Sequence, residues 1–287
     1  MSVRNNEERL GASQIDSEAP VAQNLGANPL DFISPTVLVD LPSKGEFYKE
    51  GHPLYKAETV EIRMMSTKDE DILTNPSYIN KGVVLDRLLS NIIVDKKIRP
   101  EDMLLGDKTA LLVEARISGF GPYYSVNVTC PSCGETDEEE YDLEECKKTH
   151  HGFNPEEHED IEMLENGNFL VTLPKTKVKA EFRLLNGHDE KVILKSQVKK
   201  GAKKSKDQES LVRHYKLMLV DLNGYKDRET INYFSEKMPL SDGRALRDFY
   251  SKANPNLNLE AHFECKECGH EEDVEVPLSV EFFWPKF

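Results

Sequence analysis

The sequence predicts an α+β fold of two pseudo-repeated halves, each built from short antiparallel strands plus helices. Three observations carry this reading. Alternating apolar runs of strand length are interleaved with longer segments of helical spacing. The block Glu61-Ile62-Arg63-Met64-Met65-Ser66 recurs as Glu181-Phe182-Arg183-Leu184-Leu185-Asn186, with Asp69-Glu70 falling in register on Asp189-Glu190. Each half also ends in a C-x-x-C-G unit, Cys130-Pro131-Ser132-Cys133-Gly134 in the first and Cys265-Lys266-Glu267-Cys268-Gly269 in the second.

The elements follow in order. Residues 1–33 mix Asn, Glu, Gln, Ser, Ala and Pro without a sustained period and read as a flexible N-terminal arm. The first half, 34–145, opens with a strand at Thr36–Val39 and a Leu41-Pro42-Ser43-Lys44-Gly45 turn. A strand over Glu58–Met65 alternates Val60, Ile62 and Met64 against Glu61 and Arg63. A helix then starts at Ser66 or Thr67, with Thr67 and Glu70 spaced as a capping box. Further helices are predicted over Asn80–Ser90, briefly at Pro100-Glu101-Asp102, and over Asp107–Ile117, the last ended by Gly119 and Gly121. Residues 146–167 read as an acidic linker. The second half, 168–287, repeats strand, Leu173-Pro174 turn, strand and acidic helix start. Helices are expected over Ser210–Val220, Asp227–Lys237 and Ser241–Lys252, ahead of the second cysteine unit. Lys195–Lys206 reads as a lysine-rich exposed loop, or a dock for an acidic partner or nucleic acid.

Both cysteine units follow alternating, strand-like runs and return as polar strands, the hairpin tip of a zinc ribbon. One turn presents two thiolates to a metal; two turns complete a tetrahedral set of Cys130, Cys133, Cys265 and Cys268. The expectation is one structural zinc ion shared by the halves, a split zinc ribbon that neither half completes alone. Independent redox pairs and buried free thiols are the competing readings. His262 and His270 stand close enough in sequence to replace a cysteine. Cys146 is left over in an acidic, helical segment.

With 287 residues the chain can bury a core without staples. Its net charge of −15 repels phosphate backbones and argues against nucleic acid as a general partner. No run is apolar enough to span a membrane, no secretory signal is visible, and the cysteine usage fits a reducing cytoplasm.

Other candidate constellations have plainer readings. His150, His151 and His158 with Glu156, Glu157, Glu159 and Asp160 suggest a second metal site, but their irregular spacing reads as surface loop. Asp69-Glu70 and Asp189-Glu190 resemble a catalytic carboxylate set, yet helix starts explain them, with Arg63 and Arg183 as ion-pair partners. No nucleophile elbow, phosphate loop or dinucleotide fingerprint occurs, so no enzyme and no small-molecule substrate are expected. Phe282, Phe283, Trp284 and Phe287 form an aromatic C-terminal tail, either the packing of a last strand or a partner-binding surface.

Taken together, Leu41-Pro42-Ser43-Lys44-Gly45 with Tyr48, the S-T-K-D-E-D-I-L run from Ser66 to Leu73, Gly106-Asp107, Arg116 with Gly119 to Tyr124, and the first C-P-x-C-G unit resemble one family. It is the baseplate protein family of T-even-type contractile-tailed bacteriophages, and the resemblance covers about residues 35 to 275. It implies a baseplate hub or hub-assembly component of the virion, assembled in the host cytoplasm. Its partners would be other baseplate or tail proteins, on which the terminal segments order. The readings from other classes are a zinc-ribbon nucleic-acid-associated or transcription-related protein, and a thiol-disulfide enzyme.

Overall fold

The computed structural model describes residues 35–198, 206–276 and 280–283. The N-terminal arm, the centre of the lysine-rich loop, Trp284 and Phe287 lie outside the described residues. The first half opens with strands β1 (Thr36–Asp40) and β2 (Thr59–Arg63), paired antiparallel with Val39 opposite Val60. Helices α1 (Thr67–Leu73), α2 (Pro76–Asn80) and α3 (Val84–Ile92) follow, then a 3-10 turn at Pro100–Asp102 and the long α4 (Leu105–Phe120). Strands β3 (Tyr123–Thr129) and β4 (Thr136–Asp142) form a hairpin that carries the first cysteine unit at its tip.

Helix α5 (Leu143–Cys146) closes the expected first half, and strands β5 (Lys147–His150) and β6 (Ile161–Met163) occupy the segment expected to be a linker. The second half contains β7 (Phe169–Thr172), β8 (Lys179–Phe182), α6 (Gly187–Val198), α7 (Lys206–Met218), β9 (Leu219–Leu222), α8 (Arg228–Lys237) and α9 (Leu240–Ala253). A second hairpin, β10 (Asn256–Glu264) with β11 (Glu271–Glu275), carries the other cysteine unit, and Val280–Phe283 form a 3-10 turn. The strands make four antiparallel sheets: β1-β2, β3-β4, β6-β7-β8-β9 and β11-β10-β5. The α+β class is therefore as the patterning predicts. β5 and β6 tie the intervening segment into sheets of the second half, pairing with β10 and β7.

Local chemistry explains where the elements stop. The helix expected over Asn80–Ser90 starts later, at Val84, because Gly82 adopts φ +63 after the short α2 that ends at Asn80, and it runs on to Ile92. The chain enters α2 through Asn75, whose side chain accepts the Ser77 N–H at 2.9 Å ahead of Pro76. Helix α4 continues through Gly119, where the Met65 side chain fills the space a Cβ would take, and stops at Gly121 with φ +84. The reciprocal cap at α1 joins Ser66 and Asp69, one residue earlier than the Thr67 and Glu70 spacing suggested. Asp69 is chosen because Arg63 already holds it, through two hydrogen bonds of 2.7 and 2.8 Å.

That arrangement occurs twice. Arg183 donates to Asp189 at 2.8 and 2.6 Å, and the Asn186 N–H donates to Asp189 as the Ser66 N–H does to Asp69. Each arginine also reaches a neighbouring carbonyl, that of Met64 or Leu184. A second device recurs one step earlier in each half. After β1, the Ser43 N–H and hydroxyl and the Tyr48 hydroxyl all donate to buried Asp107 in the first turn of α4. After β7, the Lys175 and Thr176 N–H groups donate to buried Asp242 in the first turn of α9. Loop and helix start are thus clamped by one carboxylate in each half, and the helix dipole favours that charge.

Between the halves the contacts are one-sided. The Gly187 N–H donates to the Met103 carbonyl at 3.0 Å and the Leu105 N–H to the Leu185 carbonyl at 3.3 Å, so α4 begins against the start of α6. Lys108, 4% exposed, binds Asp86 at 2.5 Å and also Glu190, while Lys191 reaches Asp86 and Glu101 at 3.2 and 2.9 Å. Leu240 holds the position in α9 that Leu105 holds in α4, yet it is 91% exposed. One buried apolar cluster runs from Val39 to Phe283 and draws on both halves. Phe282 and Phe283 lie inside it, and buried Arg116 donates to the Phe282, Gly121 and Tyr123 carbonyls at 2.7, 2.7 and 3.1 Å.

Two measurements check this packing. A Cβ added at Gly187 would lie 2.5 Å from the Pro100 carbonyl oxygen, so Gly187→Ala is expected to lower stability by roughly 1–3 kcal/mol in urea unfolding. Asp69 is held well below the usual carboxylate range: burial alone would raise it, but Arg63, the Ser66 N–H and hydroxyl, and Asn91 bring it to about 2. Its contribution is present above the ordinary carboxylate value near ~4 and is lost as pH falls through about 2. Unfolding midpoints of Asp69→Asn should therefore fall less steeply than those of the parent over that acid window.

Candidate metal centre

The two cysteine units are built alike from the strands that carry them. The Cys130 N–H donates to the Glu135 carbonyl at 2.8 Å and the Gly134 N–H returns to the Cys130 carbonyl at 2.9 Å. In the second hairpin the Cys265 N–H donates to His270 and the Gly269 N–H to Cys265, both at 2.9 Å. Each turn requires its glycine, since Gly134 and Gly269 adopt φ +78 and +65. Each hairpin thereby presents one buried sulfur, Cys130 or Cys265, and one exposed sulfur, Cys133 or Cys268.

The fold brings the two tips together. All four sulfurs lie within 4.8 Å of one another, with Cys130 Sγ 3.7 Å from Cys268 Sγ and Cys133 Sγ 3.6 Å from Cys265 Sγ. A tetrahedral zinc with bonds of about 2.3 Å would hold its sulfurs about 3.8 Å apart. The donor set and its spacing therefore fit a closed, four-thiolate ion. The pairing is reciprocal, first cysteine of one unit with second cysteine of the other, a local twofold that the body of the protein does not share. Phe263, 1% exposed, forms the floor with Val128 and Val274. The Cys133 N–H, against burial and with help from the Ser132 N–H, brings the Cys130 thiol down to about 6, whereas burial and the neighbouring sulfurs, against backbone N–H groups, push Cys133 and Cys268 up. Lys266 bridges to Glu139 of the opposite hairpin.

The other candidates are placed elsewhere. His262 lies 3.3 Å from Asp273 and His270 3.1 Å from Glu272, so both imidazoles pair with carboxylates rather than join the sulfurs. Among the described residues, the four cysteines are the only cluster with metal-holding geometry. His150 and His151 instead contact the Asn254 and Pro42 carbonyls at 3.0 Å each. His158 lines a shallow polar cleft with Glu156, Glu157, Glu159 and Asp160. Cys146 is buried away from the site, and burial pushes its thiol up. Asp69 and Asp189 are spent on their arginines and helix caps. Phe282 and Phe283 are 2% and 4% exposed and pack in the core cluster.

A family model described as T4 bacteriophage base plate protein matches residues 34–284. The chain belongs to this family of phage baseplate proteins. It is accordingly a structural component of a tail baseplate, and its partners are other tail proteins. Neither the curated proteins nor the solved structures contain a match. In the baseplate protein, Asp107 and Arg116 stand out in the sequence only as parts of the resemblance, and their burial, like that of Asp242 and Lys108, is visible only in the fold. A signal was present: Leu105-Gly106-Asp107-Lys108-Thr109-Ala110-Leu111 and Leu240-Ser241-Asp242-Gly243-Arg244-Ala245-Leu246 share L-x-D-x-x-A-L. They are separated by the same number of positions as Cys130 and Cys265, so one ungapped register runs from helix start to cysteine turn.

Phe263→Ala removes the floor under both buried sulfurs. It is expected to cost about 3–5 kcal/mol in denaturant unfolding, with a hydrogen-exchange loss centred on both hairpin tips.

Proposed function

We propose that this chain is a non-enzymatic structural or assembly component of the hub region of a contractile phage tail baseplate, stabilised by one structural zinc on Cys130, Cys133, Cys265 and Cys268. The observation that carries the metal reading is the convergence of four sulfurs, from hairpins far apart in the chain, at tetrahedral spacing. Four protein sulfurs fill the coordination of such an ion, so its work is cross-linking rather than polarising a substrate. The hub assignment rests on the resemblance of the Leu41–Gly45, Ser66–Leu73 and Cys130–Gly134 motifs; the family match supports the baseplate.

The two halves derive from an internal duplication of one strand–loop–strand–helix–hairpin unit. The recurring Arg63–Asp69 and Arg183–Asp189 clamps support it, as do the Asp107 and Asp242 helix starts. On this reading 34–145 and 168–287 are the repeats, and the metal closes one against the other. The terminal segments, with Trp284 and Phe287, are contact sites for neighbouring tail proteins.

Metal analysis by mass spectrometry on the purified chain tests this reading. The expected result is one zinc per chain, lost in both Cys130→Ser and Cys265→Ser together with cooperative unfolding. No metal, or two metals retained independently, would overturn the shared site.

A further inference from the structure

Several sheet edges in this protein are guarded by charge. β4 carries Asp137-Glu138-Glu139-Glu140, β5 begins Lys147-Lys148, and β11 carries Glu271-Glu272-Asp273. Charges along an edge strand discourage further pairing. β1, Thr36-Val37-Leu38-Val39-Asp40, has an apolar centre instead, and its outer edge has no strand partner among the described residues. Leu38 at its middle is 67% exposed.

The ladder shows which backbone groups face out. The Pro35 carbonyl accepts from the Met64 N–H at 2.9 Å, and the Leu41 N–H donates to the Glu58 carbonyl at 2.8 Å. Bonded positions alternate in an antiparallel pair, so Val37 and Val39 bond inward to β2. The N–H and C=O groups of Thr36, Leu38 and Asp40 therefore point to the open edge.

The other half shows such an edge filled. β7 stands where β1 does, since each precedes a Leu-Pro loop whose N–H groups clamp the aspartate of a long helix. Counted back from those loops, Leu170 corresponds to Leu38. The Leu173 N–H donates to Val178 and the Leu164 N–H to Asn168, at 2.9 and 2.8 Å, so by the same alternation Leu170 bonds outward to Glu162 of β6. Ile161 of β6, opposite Val171, is 5% exposed and completes the core there.

We propose that β1 accepts an added strand from another protein of the baseplate, bonded to the backbone of Thr36, Leu38 and Asp40 as β6 is bonded to β7. The chemistry of that segment follows from its neighbours. Its residue opposite Val39 is apolar and faces the core, as Ile161 does opposite Val171. Its outward residues lie beside exposed Leu38 and Asp40, with exposed Glu61 one strand further on the same face, and are basic. A second copy of this chain is a poorer occupant, because it brings a net charge of −15 to an acidic edge. The inference rests on the chain's place in a baseplate and not on the metal.

Leu38→Pro deletes an outward N–H and leaves the β1–β2 ladder intact. The purified variant is expected to keep the parent's unfolding midpoint, while the yield of assembled baseplates falls about tenfold or more. Leu38→Lys, which keeps the backbone and adds charge to the edge, should act the same way if the proline variant folds poorly. A benzophenone amino acid at position 38, photolysed in assembling baseplates, should cross-link to a segment of another chain with alternating apolar and basic residues. A cross-link to a second copy or within the chain, or parental yield from both variants, would overturn the inference. Absence of the chain from baseplates and their intermediates would overturn the baseplate placement with it, whereas its presence without a cross-link overturns strand addition alone.

Discussion

Convergence of four sulfurs is the constraint on which the distal part of this protein depends. A two-stranded ribbon such as β3–β4 buries little by itself and is marginal in water. Its apolar side is limited to Tyr124, Val126 and Val128, and its partner strand is mostly carboxylate. The second hairpin tip adds Phe263 and Val274 in a small cluster of its own, while the bases of both hairpins join the main core through Tyr124, Leu257 and Leu259. Metal binding in small thiolate sites is worth on the order of 10 kcal/mol, far more than that burial provides. A metal held by the four sulfurs would cross-link the tips of these acidic ribbons and leave their charge free to keep the edges unpaired.

Away from the tips, buried carboxylates organise the body. Asp107 receives Ser43 and Tyr48, Asp242 receives Lys175 and Thr176, and Asp69 and Asp189 receive their arginines. Burial raises the Asp107 carboxyl, whereas its hydrogen bonds oppose that shift, so its charge depends on the loop that wraps it. Each carboxylate ties a strand or loop to a helix start, where the backbone N–H groups need acceptors and the dipole favours an anion. Removing one partner would strand a buried charge, and this makes the polar locks specific as well as stabilising.

The Arg63–Asp69 and Arg183–Asp189 pairs, like the Asp107 and Asp242 helix starts, share their hydrogen bonding but differ in their surroundings. Leu105 and Gly187 are consumed where the halves meet, while Leu240 and Thr67 face solvent. The same contrast separates β7, covered by β6, from β1, which is open.

The amino-acid sequence by itself determined the local devices. Strand alternation, the Arg63 and Arg183 pairings, the Asp227 cap of α8, and the two C-x-x-C-G turns depend on spacings of a few residues and are written there. It was misleading where a neighbour in space chose between adjacent residues, as Arg63 chose Asp69 over Glu70, or where Gly82 divided a run of good helical spacing. Only the tertiary structure decided that Phe282 and Phe283 are core, that β5 and β6 join the second half's sheets, and that Leu38 and Leu240 are exposed. Apolar side chains look alike in a sequence; whether one is covered depends on chain segments many positions away, and that information exists only once the chain has folded.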